Sequence, residues 1–232
     1  MSRQALDVGQ YEFFERMGKT VAKAKTRTVD RPTYHVGHLD TLLLDAARAM
    51  LEEVGPAKLS LRAVSARIGV SPAAAYHHFD SRASLLGHLA AQGFRELAVA
   101  VEERAATAAP GSLLREAALA YFRFACRNPC LYQLMFGPEF IGDESAVGLA
   151  EARTRSFTLV QGVIAGDSGL EPDSGKARSA ALAGWILGHG LASLTIQGRL
   201  ERPEGLSDDQ LVDRALQGFS ILFGSSDGRE PG

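Results

Sequence analysis

Apolar residues recur along this chain at intervals of three and four from Leu39 to Phe223, while alternating β-branched stretches are missing. That period predicts helices rather than strands. Breakers divide the pattern at Gly55-Pro56, Gly69, Pro110-Gly111, Asn128-Pro129, Gly137-Pro138, Gly166 to Gly175 and Arg202 to Gly205. The expectation is an all-α protein with helices over 38–54, 83–106, 112–127, around 144–165, 174–198 and 207–223. In the first of these, Leu43, Ala46, Ala47, Met50, Leu51 and Val54 form one apolar stripe, and Gly55-Pro56 ends it.

The segment between Leu59 and Leu86 carries the densest set of local signals. Ser60 is placed to cap a short helix whose Leu61, Val64 and Ile68 share a face. Gly69 follows where a tight turn requires positive φ. Ser71 then caps a second helix, with Pro72 at its first position, where a missing N–H costs nothing. Ala75 and Phe79, four residues apart, seal that helix onto the first, which makes a helix-turn-helix unit. Pro72, Ala73, Ala74 and His77 point outward in this reading. Small side chains let a helix settle deep in a major groove, and alanine methyls touch thymine methyls. Tyr76 and His78 suit the flanking backbone, and Ser71 with the helix N-terminus offers N–H groups to phosphate. Ser81 caps the next helix, which Arg82 begins, and Asp80 is read as a capping residue. Three-helix units with a glycine turn also occur in proteins that never touch DNA, so this pattern alone leaves both readings open.

Charge sharpens the picture. Residues 1–82 hold 12 Lys+Arg against 9 Asp+Glu, whereas the rest holds 13 against 18. A basic end on an acidic body suits a polyanion met by one face. Between Arg16 and Arg31 stand Arg16, Lys19, Lys23, Lys25, Arg27 and Arg31 against Asp30 alone. Residues 1–33 are therefore expected to be a basic, mobile extension, either a DNA-tracking arm or a plain solvated tail. Residues 34–82 form the expected DNA-binding domain, 83–224 a helical body, and 225–232 a disordered tail. Cys126 and Cys130 form no disulfide framework, which favours a reduced, cytoplasmic protein with two ordinary thiols, a redox switch being the sharper alternative. No signal segment is expected, and no apolar run of about 18 residues, hence no membrane. Phosphate-cradling Gly loops, a nucleophile elbow and HExxH are absent, so an enzyme, a metal site and a cofactor are not expected. His77-His78 with Asp80 does not change this, because adjacent helical histidines point in different directions.

The stretch from His38 to Leu86 resembles the N-terminal domain of the TetR family of repressors. The matching features are the preceding amphipathic helix, SLRAVSARIGVS, then AAAYHHF, then DSRASLL. The resemblance implies that Arg62, Ser71, Ala73, Ala74, Tyr76, His77, His78 and Arg82 lie where the family meets DNA. Asp80 and Ala73 depart from residues that are often basic or polar there, and His77 stands where a second aromatic is common.

The remainder resembles the C-terminal domain of a TetR subgroup with a Trp-His-Gly signature, here Trp185, His189 and Gly190, and with NPCLYQLMFG at 128–137. That resemblance implies a homodimer and an internal pocket for a small-molecule effector of unknown identity. Phe122, Tyr132, Met135, Phe136, Phe157, Trp185 and His189 are the candidate pocket residues, although aromatic stripes at helical spacing also build ordinary cores. Gly184, Gly188 and Ala192, with Val212, Ala215, Leu216 and Phe219, are the candidates for a four-helix dimer interface, intramolecular packing being the alternative. The expected function is a repressor that binds a palindromic double-stranded operator and is released by its effector. A ligand-independent architectural DNA-binding protein is the alternative.

Overall fold

The computed structural model describes residues 39–138 and 148–223. Among these residues there are nine α-helices and no strand. They are α1 (Leu39–Val54), α2 (Leu61–Arg67), α3 (Pro72–Tyr76), α4 (Arg82–Ala106), α5 (Leu113–Arg127), α6 (Pro129–Phe136), α7 (Leu149–Ser168), α8 (Gly175–Ile196) and α9 (Asp208–Phe223). The expectations for residues 1–33 and 225–232 lie outside the described residues. The all-α expectation holds. The helix read around 144–165 is found at 149–168, between left-handed glycines at Gly148 and Gly169. Ser81 caps α4 by accepting from the Ser84 N–H at 3.0 Å, so the capping role given to Asp80 falls to its neighbour.

Helices α1 to α3 fold around Leu43, Ala47, Leu51, Leu61, Val64, Ala75 and Phe79, all buried. α4 is a single uninterrupted helix that begins in this unit and ends in the second. Its Leu85, Leu86 and Leu89 belong to the same continuous core as Leu119, Phe122, Leu131 and Leu134 further on. Helices α5, α6 and α7 pack against α4. α8 and α9 each pack on α5 rather than closely on one another.

α8 corrects one expectation. It is the one described helix long and apolar enough to cross a membrane by length and composition. Ser179 to Ile196 carries no charged residue, and its Ser, His and Thr had interrupted the apolar reading without adding charge. In the fold this helix packs against α5 and α7.

Candidate DNA interface and internal cavity

The turn chemistry of the N-terminal unit is local and complete. The Ser60 hydroxyl accepts from the Ala63 N–H at 3.2 Å, and the Ser71 hydroxyl from the Ala74 N–H at 3.2 Å. Gly69 sits at φ +74°. The buried Ser65 hydroxyl donates to the Leu61 carbonyl at 2.7 Å, which satisfies a polar group that burial would otherwise penalise. Ala75 and Phe79 are buried, and the Phe79 ring meets the His88 ring edge-on at 5.2 Å. The opposite face of α3 is open. Ser71, Pro72, Ala73, Tyr76 and His77 are exposed, while Ala74 and His78 are half-buried. Arg62 on α2 is exposed as well.

Arg82 is placed differently from that expectation. Its Nε donates to the Leu59 carbonyl at 2.8 Å and its Nη2 to the Pro56 carbonyl. The guanidinium thus ties the start of α4 to the turn before α2. Arg67 is paired in a fork with Glu53 at 2.6 and 2.7 Å.

Two connections join this unit to the helical body. One is α4 itself. The other is a set of polar contacts between α1 and the start of α6. Arg48 donates to the Asn128 side chain at 2.6 Å, and the Glu52 carboxylate accepts from the first free N–H groups of α6.

Inside the body lies an apolar cavity of about 250 Å³. α5, α7, α8 and α9 form its walls, with Phe122, Ile164, Leu187, Leu216 and Phe219 among the larger lining residues and Val101 of α4 at one side. Its lining contains no Lys, Arg, Asp, Glu or His. Beside it runs a hydrogen-bonded chain of aromatic residues. The Tyr121 and Tyr132 hydroxyls are 2.8 Å apart, Tyr132 reaches His189 Nδ1 at 2.7 Å, and His189 Nε2 lies 3.3 Å from the Ser193 hydroxyl. Burial pushes both phenols well above their ordinary range, so they stay protonated, and it holds His189 below its ordinary value. Burial likewise raises both thiols, which are free.

Of the expected effector residues, Phe122 and Trp185 line the cavity. Tyr132, Phe136 and His189 form the adjoining aromatic cluster, with Phe157 edge-on to Trp185 at 6.3 Å. Met135 is buried against the Gly93 backbone. Of the residues assigned to a dimer interface, Gly184, Gly188, Val212, Ala215, Leu216 and Phe219 line the same cavity, and Ala192 is buried within the chain. The side chains of Ala192 and Val212, 0% and 2% exposed, are thus covered before any second copy arrives. Gly184 answers a different need: a Cβ there would come within 2.7 Å of Ile164 Cδ1. Ile186, Leu194, Ile221 and Leu222 are instead the exposed apolar residues of α8 and α9, at 58%, 45%, 68% and 75%. Ile186, Gly190 and Leu194 follow an i, i+4, i+8 spacing that was legible in the sequence.

A short helix with an open face, anchored by a glycine turn and joined to a helical body, defines a helix-turn-helix DNA-binding regulator. Residues 43–89 match the family described as bacterial regulatory proteins, tetR family, and residues 114–219 match the tetracyclin repressor-like C-terminal domain. An uncharacterized HTH-type transcriptional regulator, YobS of Bacillus subtilis, is 31% identical over 102 residues, 42% of this chain and 51% of that protein. The chain thus spans about half the length of this curated relative. A solved protein of unknown function from Rhodococcus sp. RHA1 is 32% identical, with 83% of this chain and 98% of that chain covered and a TM-score of 0.68. PfmR of Thermus thermophilus, a TetR family transcriptional regulator, shares the fold at 24% identity, TM-score 0.54, over 79% of this chain and 98% of that one. The chain belongs to the TetR family of DNA-binding transcriptional regulators.

Proposed function

We propose that this protein is a repressor that binds a palindromic operator as a homodimer and is released by a small molecule in the cavity of its helical body. The observation that carries this reading is the continuity of α4, which starts one turn after Phe79 and reaches the cavity wall at Val101. A ligand that favours one tilt of α4 thereby changes the spacing of two α3 helices across a dimer. It shifts the equilibrium only by its differential affinity for the two arrangements. The exposed stripes of α8 and α9 supply the apolar face a second copy would cover. In this reading Pro72, Ala73, Ala74 and His77 face the bases, while Arg62, Ser71, Tyr76 and His78 face the backbone.

The test is a gel shift on operator fragments with native protein and His77→Ala. The His77 ring is exposed, so the variant should keep its thermal midpoint and lose binding worth about 1–3 kcal/mol. Unchanged binding by the variant would remove His77 from the interface.

A further inference from the structure

We propose that the cavity takes an uncharged, largely apolar molecule of about ten heavy atoms, with any polar group confined to the end at Ser168. This ligand class rests on the reading of the cavity as the effector site.

Three observations carry it. The first is the composition of the wall: besides aliphatic and aromatic side chains it holds only Tyr121, Trp185 and Ser168 as polar groups. The second is that the inner hydroxyl, Tyr121, is already partnered. The Tyr121 and Tyr132 hydroxyls are bonded to each other at 2.8 Å, so the inner phenol has a partner within the chain. Ser168, the last residue of α7, is exposed and is the lining hydroxyl left to meet a ligand's polar atom beside water. The third is that two cations beside the α5 wall are already paired. Arg115, next to the lining residue Leu114, donates to Asp213 at 2.6 and 2.9 Å and to Glu116 at 2.8 Å, and Arg123 is paired with Asp209.

An ion entering this space would lose its hydration without gaining a counter-charge, a penalty of several kcal/mol. A neutral apolar ligand gains instead, because its apolar surface leaves water for an apolar wall. The size follows by proportion: a cavity of about 150 Å³ holds benzene, so 250 Å³ holds roughly ten such atoms. Carboxylates, phosphorylated molecules and organic ammonium ions are therefore excluded as ligands, even though Trp185 and Phe122 would offer aromatic faces to a cation.

The test uses three naphthalene isosteres at neutral pH, titrated calorimetrically into the full-length protein: naphthalene-methanol, naphthoate and naphthylmethyl-ammonium. The alcohol should bind saturably, and each ion at least about tenfold more weakly. Ala118→Phe places a ring in the cavity from α5 and should abolish binding of the alcohol in a folded variant. An ion that binds as tightly as the alcohol, an alcohol that does not bind, or an alcohol whose binding survives in folded Ala118→Phe would each overturn the proposal. If that variant does not fold, the comparison of the three probes on the native protein still decides. Release of DNA is measured separately. Alcohol binding without release would refute the effector reading and leave the ligand class standing.

Discussion

The carboxylate of Glu52 on α1 caps Leu131 on α6, accepting its N–H at 3.1 Å and that of Cys130 at 3.2 Å. Helix N-termini leave such donors without partners, and Asn128 gives α6 no side-chain cap of its own. The DNA-binding unit thus closes the end of a helix in the second unit, and Tyr132 on that same helix bonds to Tyr121 on the cavity wall. Glu52→Ala should lower stability by about 1 kcal/mol, the usual worth of a lost cap. Urea unfolding checks this, and Glu52→Gln, which keeps an acceptor, should recover part of the loss.

Gly93 lets α4 approach α6 closely. A Cβ there would lie 2.7 Å from Met135 Sδ and 2.9 Å from Leu131 Cδ2. Gly93→Ala is expected to destabilise by about 1–3 kcal/mol through overpacking. Gly162, on α7, would meet nothing within 4 Å. Gly162→Ala should therefore stabilise by about 0.5–1 kcal/mol, as removal of glycine from a helix interior does. Thermal unfolding followed by circular dichroism separates the two signs.

His189 makes stability depend on pH. Burial holds its imidazole below the ordinary value of 6.5, so the unfolded chain takes up this proton first as pH falls. Its contribution is in place above 6.5 and declines as pH drops below it. The groups bonded to it, Tyr132 and Ser193, are uncharged, and the rings of Phe136 and Trp185 complete its surroundings. The urea midpoint of the native protein should fall more between about pH 7.5 and 5.5 than that of His189→Gln. Equal falls would show that His189 is not held neutral.

The basic extension has a measurable part to play because the DNA-binding unit has no charge surplus of its own. Residues 39–82 hold 5 Lys+Arg and 5 Asp+Glu. Arg67 is paired with Glu53, Arg82 is spent on carbonyls, and Arg48 is turned toward Asn128. The surplus of three in residues 1–82 therefore resides in the first 38. Removing residues 1–31 should flatten the plot of log affinity against log salt by about three units, because each phosphate left unneutralised takes about 0.9 off the slope. An unchanged slope would make the extension a bystander.

The sequence spoke most clearly where structure is local. Ser60, Gly69, Ser71, Pro72 and Ser81 each act within four residues of themselves, and the caps and turn stand where the residues foretold. The buried seam of Ala75 and Phe79 was legible for the same reason. The cavity was not, because it depends on how α8 and α9 dock on α5. Gly184, Gly188 and Ala215 show in sequence only that they are small, and smallness serves a helix contact, a cavity wall or an interface equally. The intrachain partners of Arg82 were hidden for a related reason: the carbonyls of Pro56 and Leu59 lie more than twenty residues back along the chain.

Footprinting of genomic fragments by the purified full-length protein tests the central claim most directly. Two copies of an open α3 face, related by a two-fold axis, should protect a symmetric site whose halves are centred about 34–36 Å apart, or a multiple of that, on one side of the duplex. Protection of a single unpaired half-site, or no protection at any salt concentration, would contradict the account.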